Sequence, residues 1–288
     1  GFKKDTVKDS SGYFRTRVAK GCSMKTLYTK RCVLFNFRDY VGDKKQVATI
    51  TVEDIEGWLD AGGCKGKQWT PVTKENYASD VKAFFNWLKK RKHVSENPCD
   101  AMEQILDIEM EPEILTPKQC EELLKTTLEV DRTMLSYVVL MLFCGIRPSE
   151  AMRLKSSAIQ IDKKRVVLSG KQTKTRRRRI VDLSDNAIAW WKMGASFPIQ
   201  NADHRWDDLR AAQRGKWKMD KWPHDCLRHS FCSYYLAAHE NAAQTALQAG
   251  HTEGMLFKHY RVLVDKEDAD QFWNIYPETA LGQLRVVA

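Results

Sequence analysis

The segment from Met134 to Cys144 is apolar at almost every position, and that sets the terms for the rest of the chain. It is far shorter than the ~20 residues needed to cross a bilayer, so it reads as a helix buried in a protein core. Gly145 then serves as the helix stop, and Pro148 suits the first turn of the helix that follows. Arg147 falls between the two, at a junction where its side chain can reach out of the core toward a ligand.

A chain of 288 residues is long enough for two domains, each burying its own core. Hydrophobic content of 43% and charged content of 29% describe a globular protein. The net charge of +10 favours a polyanionic partner, and the excess is concentrated. Between Ile161 and Leu183, nine Lys or Arg face only Asp162 and Asp182, a net of +7 in 23 residues. The eight cysteines form no C-x-x-C pair, so neither a zinc site nor a disulfide framework is expected, and a reducing cytoplasm is. No signal-peptide pattern and no long apolar run is legible, so no membrane association is expected.

The first part of the chain is patterned as helices. Ser23 caps a helix with Leu27, Leu34, Phe35 and Val41 on one face, and Thr51 opens another with Ile55, Trp58 and Leu59 inward. Thr70-Pro71 starts a third, in which Tyr77, Val81, Phe84, Phe85 and Leu88 recur at helical spacing. Lys89, Lys90, Arg91 and Lys92 end it, complementing the helix dipole and offering cations to a polyanion. The domain boundaries expected are 1–107 for this bundle, 108–115 for an acidic linker and 116–288 for the remainder, whose first helix opens on the capping box Thr116 to Gln119. After Leu154 the period changes: Ala158 to Leu168 and Arg179 to Leu183 read as strands around a basic turn. Ser184 opens a helix with Ile188, Trp190 and Trp191, and Asp203 to Arg214 reads as another, with the tryptophans acting as core or interface anchors.

From Trp222 to Arg261 the chain carries Arg228-His229, then Gly250-His251, then Tyr260 nine positions beyond His251. A guanidinium, an imidazole and a phenol near one point suit chemistry on a phosphodiester: Arg forks onto phosphate oxygens, His donates hydrogen bonds or a proton, and Tyr is a covalent nucleophile. The same cluster also suits a packed, hydrogen-bonded helix pair with no activity. Taken with Gly145-Ile146-Arg147-Pro148-Ser149-Glu150 upstream, however, the chain resembles the tyrosine recombinase (phage integrase) family. That family's pattern is an Arg in G-L-R-x-S-E, a Lys on a β-hairpin, H-x-x-R-H, G-H, and a Tyr nine residues after the last His. The resemblance covers roughly residues 112 to 276, and the 23 positions from Arg228 to His251 fit it.

The resemblance implies a mostly α fold with a small β-sheet or hairpin (α+β), in which a helical core-binding domain precedes a tyrosine-recombinase catalytic domain. It implies a DNA strand transferase that forms a 3′-phosphotyrosyl bond through Tyr260 and needs no metal, ATP or other cofactor. Arg147 and Arg228 then hold the non-bridging oxygens, His251 hydrogen-bonds the phosphate or assists proton movement, and a hairpin Lys protonates the leaving 5′-oxygen. Lys174, in K-T-R-R, fits that role, with Lys171 as the alternate. At the first His position the chain departs from the pattern, because Asp225 stands three residues before Arg228 and His224 one earlier. Either a shifted helix start brings His224 to the phosphate, or Asp225 caps the helix and points at its backbone N–H groups. His229 is expected to be structural.

The partner implied is a double-stranded DNA recombination site, bound by a homo-tetramer on paired sites and by no more than a monomer or dimer without DNA. Arg176, Arg177, Arg178 and Arg179 in the basic turn and Lys89, Lys90 and Arg91 in the bundle are the expected DNA contacts. A prokaryotic cytoplasm or nucleoid and a mobile genetic element are the expected setting. A type IB topoisomerase-like relaxase shares this chemistry, and a catalytically impaired DNA-binding protein of recombinase descent would tolerate the displaced His224. For the hairpin acid, Lys174→Ala should slow cleavage by ~10²–10⁴-fold, and a 5′-bridging phosphorothiolate, whose thiolate leaves without a proton, should largely restore it. Rescue of Lys171→Ala instead would move the acid to Lys171.

Overall fold

The computed structural model describes residues 12–103, 111–170, 173, 178–194, 196–254, 256 and 264–278. The chain divides into two compact units, Gly1–Met110 and Glu111–Ala288.

The first unit is a helical bundle of α1 (Tyr13–Ala19), α2 (Met24–Val41), α3 (Val52–Asp60) and α4 (Pro71–Lys90). Each of the three longer helices starts on a hydroxyl that takes an otherwise orphaned N–H: Ser23 from Thr26 (3.1 Å), Thr51 from Asp54 (3.4 Å) and Thr70 from Thr73 (3.3 Å). Leu27, Leu34, Phe37, Ile55, Trp58, Val81 and Phe85 are almost fully withdrawn from water and form the core. The inward face of α2 is turned from the expected one. Val33 and Phe37 are buried where Phe35 and Val41 were expected, and the Phe35 ring instead lies under the guanidiniums of Arg31 and Arg38 at 4.9 and 4.6 Å. Lys89, Lys90 and Arg91 are exposed, and Arg91 covers the Trp87 ring at 4.8 Å.

The second unit is organised around two buried helices. The apolar run forms α6 (Leu135–Leu142), every residue of which is buried, and α10 (Cys226–His239) packs against it. Helix α5 (Pro117–Asp131) opens on the expected Thr116–Gln119 capping box. Just before it, Leu115 is bolted to α10 twice: its N–H donates to Ser230 Oγ (2.8 Å) and its carbonyl accepts from Tyr234 Oη (2.8 Å). After α7 (Pro148–Ala151), three antiparallel strands run in the order β1 (Ile159–Gln160), β2 (Arg165–Leu168), β3 (Arg179–Asp182), with Val166 opposite Val181 and Leu168 opposite Arg179. The single strand expected from Ala158 to Leu168 is thus split in two. A short 3₁₀ turn at Ile161–Lys163 reverses the chain, with Lys164 at φ +45° closing the hairpin between β1 and β2.

Helices α8 (Asp185–Lys192) and α9 (Ala202–Trp217) follow, and Trp190 anchors α8 by donating from Nε1 to the Ile275 carbonyl at 3.0 Å. Helix α11 (Ala242–Ala249) ends at Gly250, and α12 (Lys266–Trp273) folds back onto α10, where Phe272 stacks on Tyr234 at 4.3 Å. Phe272 and Ile275 are core residues of this unit. Among the described residues, no helix is long and apolar enough to cross a membrane.

Gly145 makes the close approach of α6 and α10 possible. It takes φ +58°, and a Cβ there would sit 2.2 Å from the Phe231 ring. Gly145→Ala should cost about 1–3 kcal/mol through this overpacking, lowering Tm by roughly 2–4 °C per kcal/mol for a domain of this size. A melting curve superimposable on that of the wild type would contradict this packing.

Candidate active site

Helix α11 is a short helix whose last carbonyls, like those of any helix, lack intrahelical partners and carry partial negative charge. Its end is built for recruitment. Gly250 takes φ +66°, so the N–H groups of Gly250 and His251 both turn back to the Ala246 carbonyl (2.8 and 3.0 Å) and the carbonyls of Ala249 and Gly250 are left facing outward. Three guanidiniums collect there. Arg147 Nη2 donates to the Gly250 carbonyl at 2.7 Å, while Arg228 Nη2 and Arg179 Nη1 share the Ala249 carbonyl at 2.6 and 2.8 Å. Arg228 also donates to the Gly145 carbonyl, which ties α10 to the end of α6.

One carboxylate balances part of this charge. Glu150, three residues after Arg147 and fully buried, accepts from Arg147 Nη1 on Oε1 (3.2 Å) and from Arg179 Nη2 on Oε2 (2.8 Å). Its Oε2 also takes the Arg147 backbone N–H at 3.4 Å, closing the start of α7 as a capping residue does. Removing such a buried partner from its cations typically costs ~3–5 kcal/mol, so Glu150 is structural to the site as well as electrostatic.

The excess positive charge is visible in the titrating groups. Burial, then the charges of Arg147 and Arg179, push the Arg228 guanidinium down to about 10, and it remains cationic at neutral pH. His251 is driven down to about 3 by burial, then by Arg228 and Arg147, with His229 and Arg179 adding to the effect. Its imidazole is therefore neutral across the physiological range. Cys232, fully buried nearby, is raised to about 11 by burial and stays a thiol.

Arg147, Arg228 and His251 are thus brought to one end of α11 from three distant parts of the sequence. Arg179 differs from expectation: instead of offering a solvent-facing contact to DNA, it is turned inward and is committed to Glu150 and Ala249. Arg178 is exposed. Tyr260, Lys171, Lys174, Arg176 and Arg177 lie outside the described residues. His224 is exposed at the mouth of a cleft of 390 Å³ that it shares with Asp225, Trp206, Trp222 and Arg228. Asp225 does not cap α10 as expected. It occupies the N-cap position at φ +52°, a left-handed conformation in which its carboxylate makes no bond to the helix N–H groups. His229 is half-buried and close enough to His251 to lower its basicity. Sequence reasoning missed the role of Glu150, although its spacing from Arg147 is that of a capping box. It also missed the two α11 carbonyls, which leave no trace in side-chain identity.

Residues 113–267 match the model of the phage integrase family. The chain is 25% identical over 264 residues to a tyrosine recombinase of Thermosipho africanus, covering 86% of this chain and 92% of the relative. It is likewise 25% identical over 264 residues to the tyrosine recombinase XerC of Roseiflexus castenholzii, covering 81% of each. In fold it is similar to the integrase of transposon Tn1549 in complex with a circular intermediate DNA (TM-score 0.68, 18% identity, 88% of this chain and 94% of that one). It is also similar to a lambda integrase dimer bound to a core site (TM-score 0.66, 14% identity, 87% and 94%).

The depressed His251 gives a signed prediction. Its folded-state value of about 3 lies below the ordinary 6.5, so between these values the unfolded chain binds the extra proton. The stability it contributes is complete above about pH 6.5 and is lost as pH falls toward 3. His251→Gln should therefore flatten the fall of Tm across that window, and an unchanged Tm profile would contradict the assignment.

Proposed function

Since the chain belongs to the phage integrase family and is a tyrosine-type site-specific DNA recombinase, we propose that it cuts and rejoins strands through Tyr260 at the phosphate held by Arg147 and Arg228. The observation that carries this reading is the convergence of both guanidiniums, each fixed to a carbonyl of α11, beside a neutral His251.

In this reading the two arginines spread their N–H forks over the non-bridging oxygens and stabilise the added charge of the five-coordinate transition state. The Tyr260 oxygen attacks in line, and its phenol proton passes to the neutral His251, whose basicity rises once the phosphate anion offsets the surrounding cations. The phosphorus–5′-oxygen bond breaks, and Lys174, or Lys171, delivers a proton to the departing oxygen. The bond energy is retained in the phosphotyrosyl ester, so a 5′-hydroxyl from a second duplex can reverse the steps without ATP or metal. His224, which lines the same cleft as Arg228, is the candidate for the first His position.

The wider partner is double-stranded DNA carrying a recombination site. Lys89 and Lys90, exposed at the end of α4, together with Arg176, Arg177 and Arg178, contact its phosphates, while Arg91 divides its charge between DNA and the Trp87 ring. Two duplexes pair through a homo-tetramer, and the work is done in a prokaryotic cytoplasm or nucleoid. The relatives are named recombinases, which favours exchange over relaxation.

A duplex nicked just past the cleavage site should trap a covalent adduct with the wild type, and Tyr260→Phe should form none while binding the site nearly unchanged. Adduct formation by the Phe variant would identify a different nucleophile. On DNA carrying two sites, strand exchange by the wild type is expected, and cleavage with relaxation alone would favour the relaxase.

A further inference from the structure

Strand β3 contains an inversion of the usual pattern. Along it Arg179 and Val181 share the inward face, while Ile180, the residue that would ordinarily be buried, is exposed. This is not a slipped register, because Val166, Leu168 and Val181 are all fully buried in the paired strands. A guanidinium has been placed where an aliphatic side chain would cost far less, since a charge withdrawn from water gains little net stability even when paired. Its side chain is only 10% exposed, and burial lowers its pKa.

The surroundings are shaped to receive it. A Cβ at residue 250 would come within 1.7 Å of Arg179 Nη1, so only glycine at that position leaves room for the guanidinium. The two prongs of the fork then bind two shared acceptors. Nη2 takes Glu150 Oε2, whose partner oxygen holds Arg147, and Nη1 takes the Ala249 carbonyl, which also holds Arg228. Arg179 is therefore one acceptor removed from each phosphate-binding arginine.

We propose that Arg179 is a positioning residue for phosphodiester cleavage, fixing Glu150 and the Ala249 carbonyl so that Arg147 and Arg228 present their remaining N–H groups at one phosphate. It does not touch DNA. The inference rests on the assignment of Arg147 and Arg228 as the phosphate ligands. Without the fork, Glu150 loses its Arg179 contact and the Ala249 carbonyl loses one of its guanidinium donors, and misplacement by about an ångström is worth ~10²-fold in rate.

The test is single-turnover cleavage of the nicked duplex by wild type, Arg179→Gln, Arg179→Lys, Arg147→Ala and Arg228→Ala, with folding checked by Tm. Each protein is assayed on the natural phosphate and on a methylphosphonate at the scissile position. The neutral methylphosphonate has lost one of the oxygens that the paired arginines neutralise, so a defect in their placement matters less on it, whereas a general loss of structure slows both substrates equally. Arg179→Gln should cleave the natural phosphate ~10–10²-fold slower and close most of that gap on the methylphosphonate. Its DNA affinity and salt slope should stay unchanged, because a phosphate contact would have reduced the slope by about one. Arg179→Lys, keeping the charge but one prong, should fall between and serves as the folded comparison if the Gln variant does not fold. Wild-type cleavage by the folded variant, an equal slowing on both substrates, or a reduced salt slope would overturn the proposal. If Arg147→Ala and Arg228→Ala also cleave at the wild-type rate, the assignment of the phosphate ligands is what has failed.

Discussion

The carbonyls at the end of α11 hold the catalytic unit's chemistry together. A helix C-terminus concentrates unsatisfied acceptors in one place, and this one is turned by Gly250 so that Ala249 and Gly250 face three guanidiniums from α10, β3 and the start of α7. None of these arginines is near another in sequence. Backbone geometry, and not a cluster of matching side chains, brings them to one point. Glu150 adds an acidic contact to Arg147 and Arg179 and ties the sheet to α7.

Among the described residues, three guanidiniums face one carboxylate here, which makes the site cationic. Burial first, and then the repulsion among these cations, lowers Arg228 and holds His251 neutral. A phosphodiester anion relieves that repulsion, and the doubly charged transition state relieves it further, so the same electrostatics that depress these groups favour the transition state over the bound substrate. A neutral His251 is also available as a proton acceptor, which a histidine at its ordinary value would be only in part at neutral pH.

What the sequence made legible was whatever depends on side-chain pattern. The apolar run gave α6, the hydroxyl caps gave the starts of α2 to α5, and the spacing of Arg147, Arg228 and His251 gave three members of the site. What depends on tertiary direction was hidden. Four consecutive arginines, Arg176 to Arg179, look alike on the page, yet Arg179 is the first residue of a paired strand and its register turns it inward. Asp225 is a good N-cap residue by type, but a left-handed backbone at φ +52° aims its carboxylate elsewhere. On α2, Phe35 was displaced from the core because two flanking arginines could cover its ring, leaving Val33 and Phe37 to face inward.

The central claim is that phosphate is bound by arginines that stay fixed to α11 and Glu150. A crystal structure of the protein on a duplex carrying one cleavage site tests it most directly. The account predicts Arg147 and Arg228 on the two non-bridging oxygens of one phosphate, with Arg147 still donating to the Gly250 carbonyl and Glu150, and Arg228 still donating to the Ala249 carbonyl. A complex in which the arginines leave those acceptors to reach the phosphate, or in which the phosphate lies away from the end of α11, would contradict it.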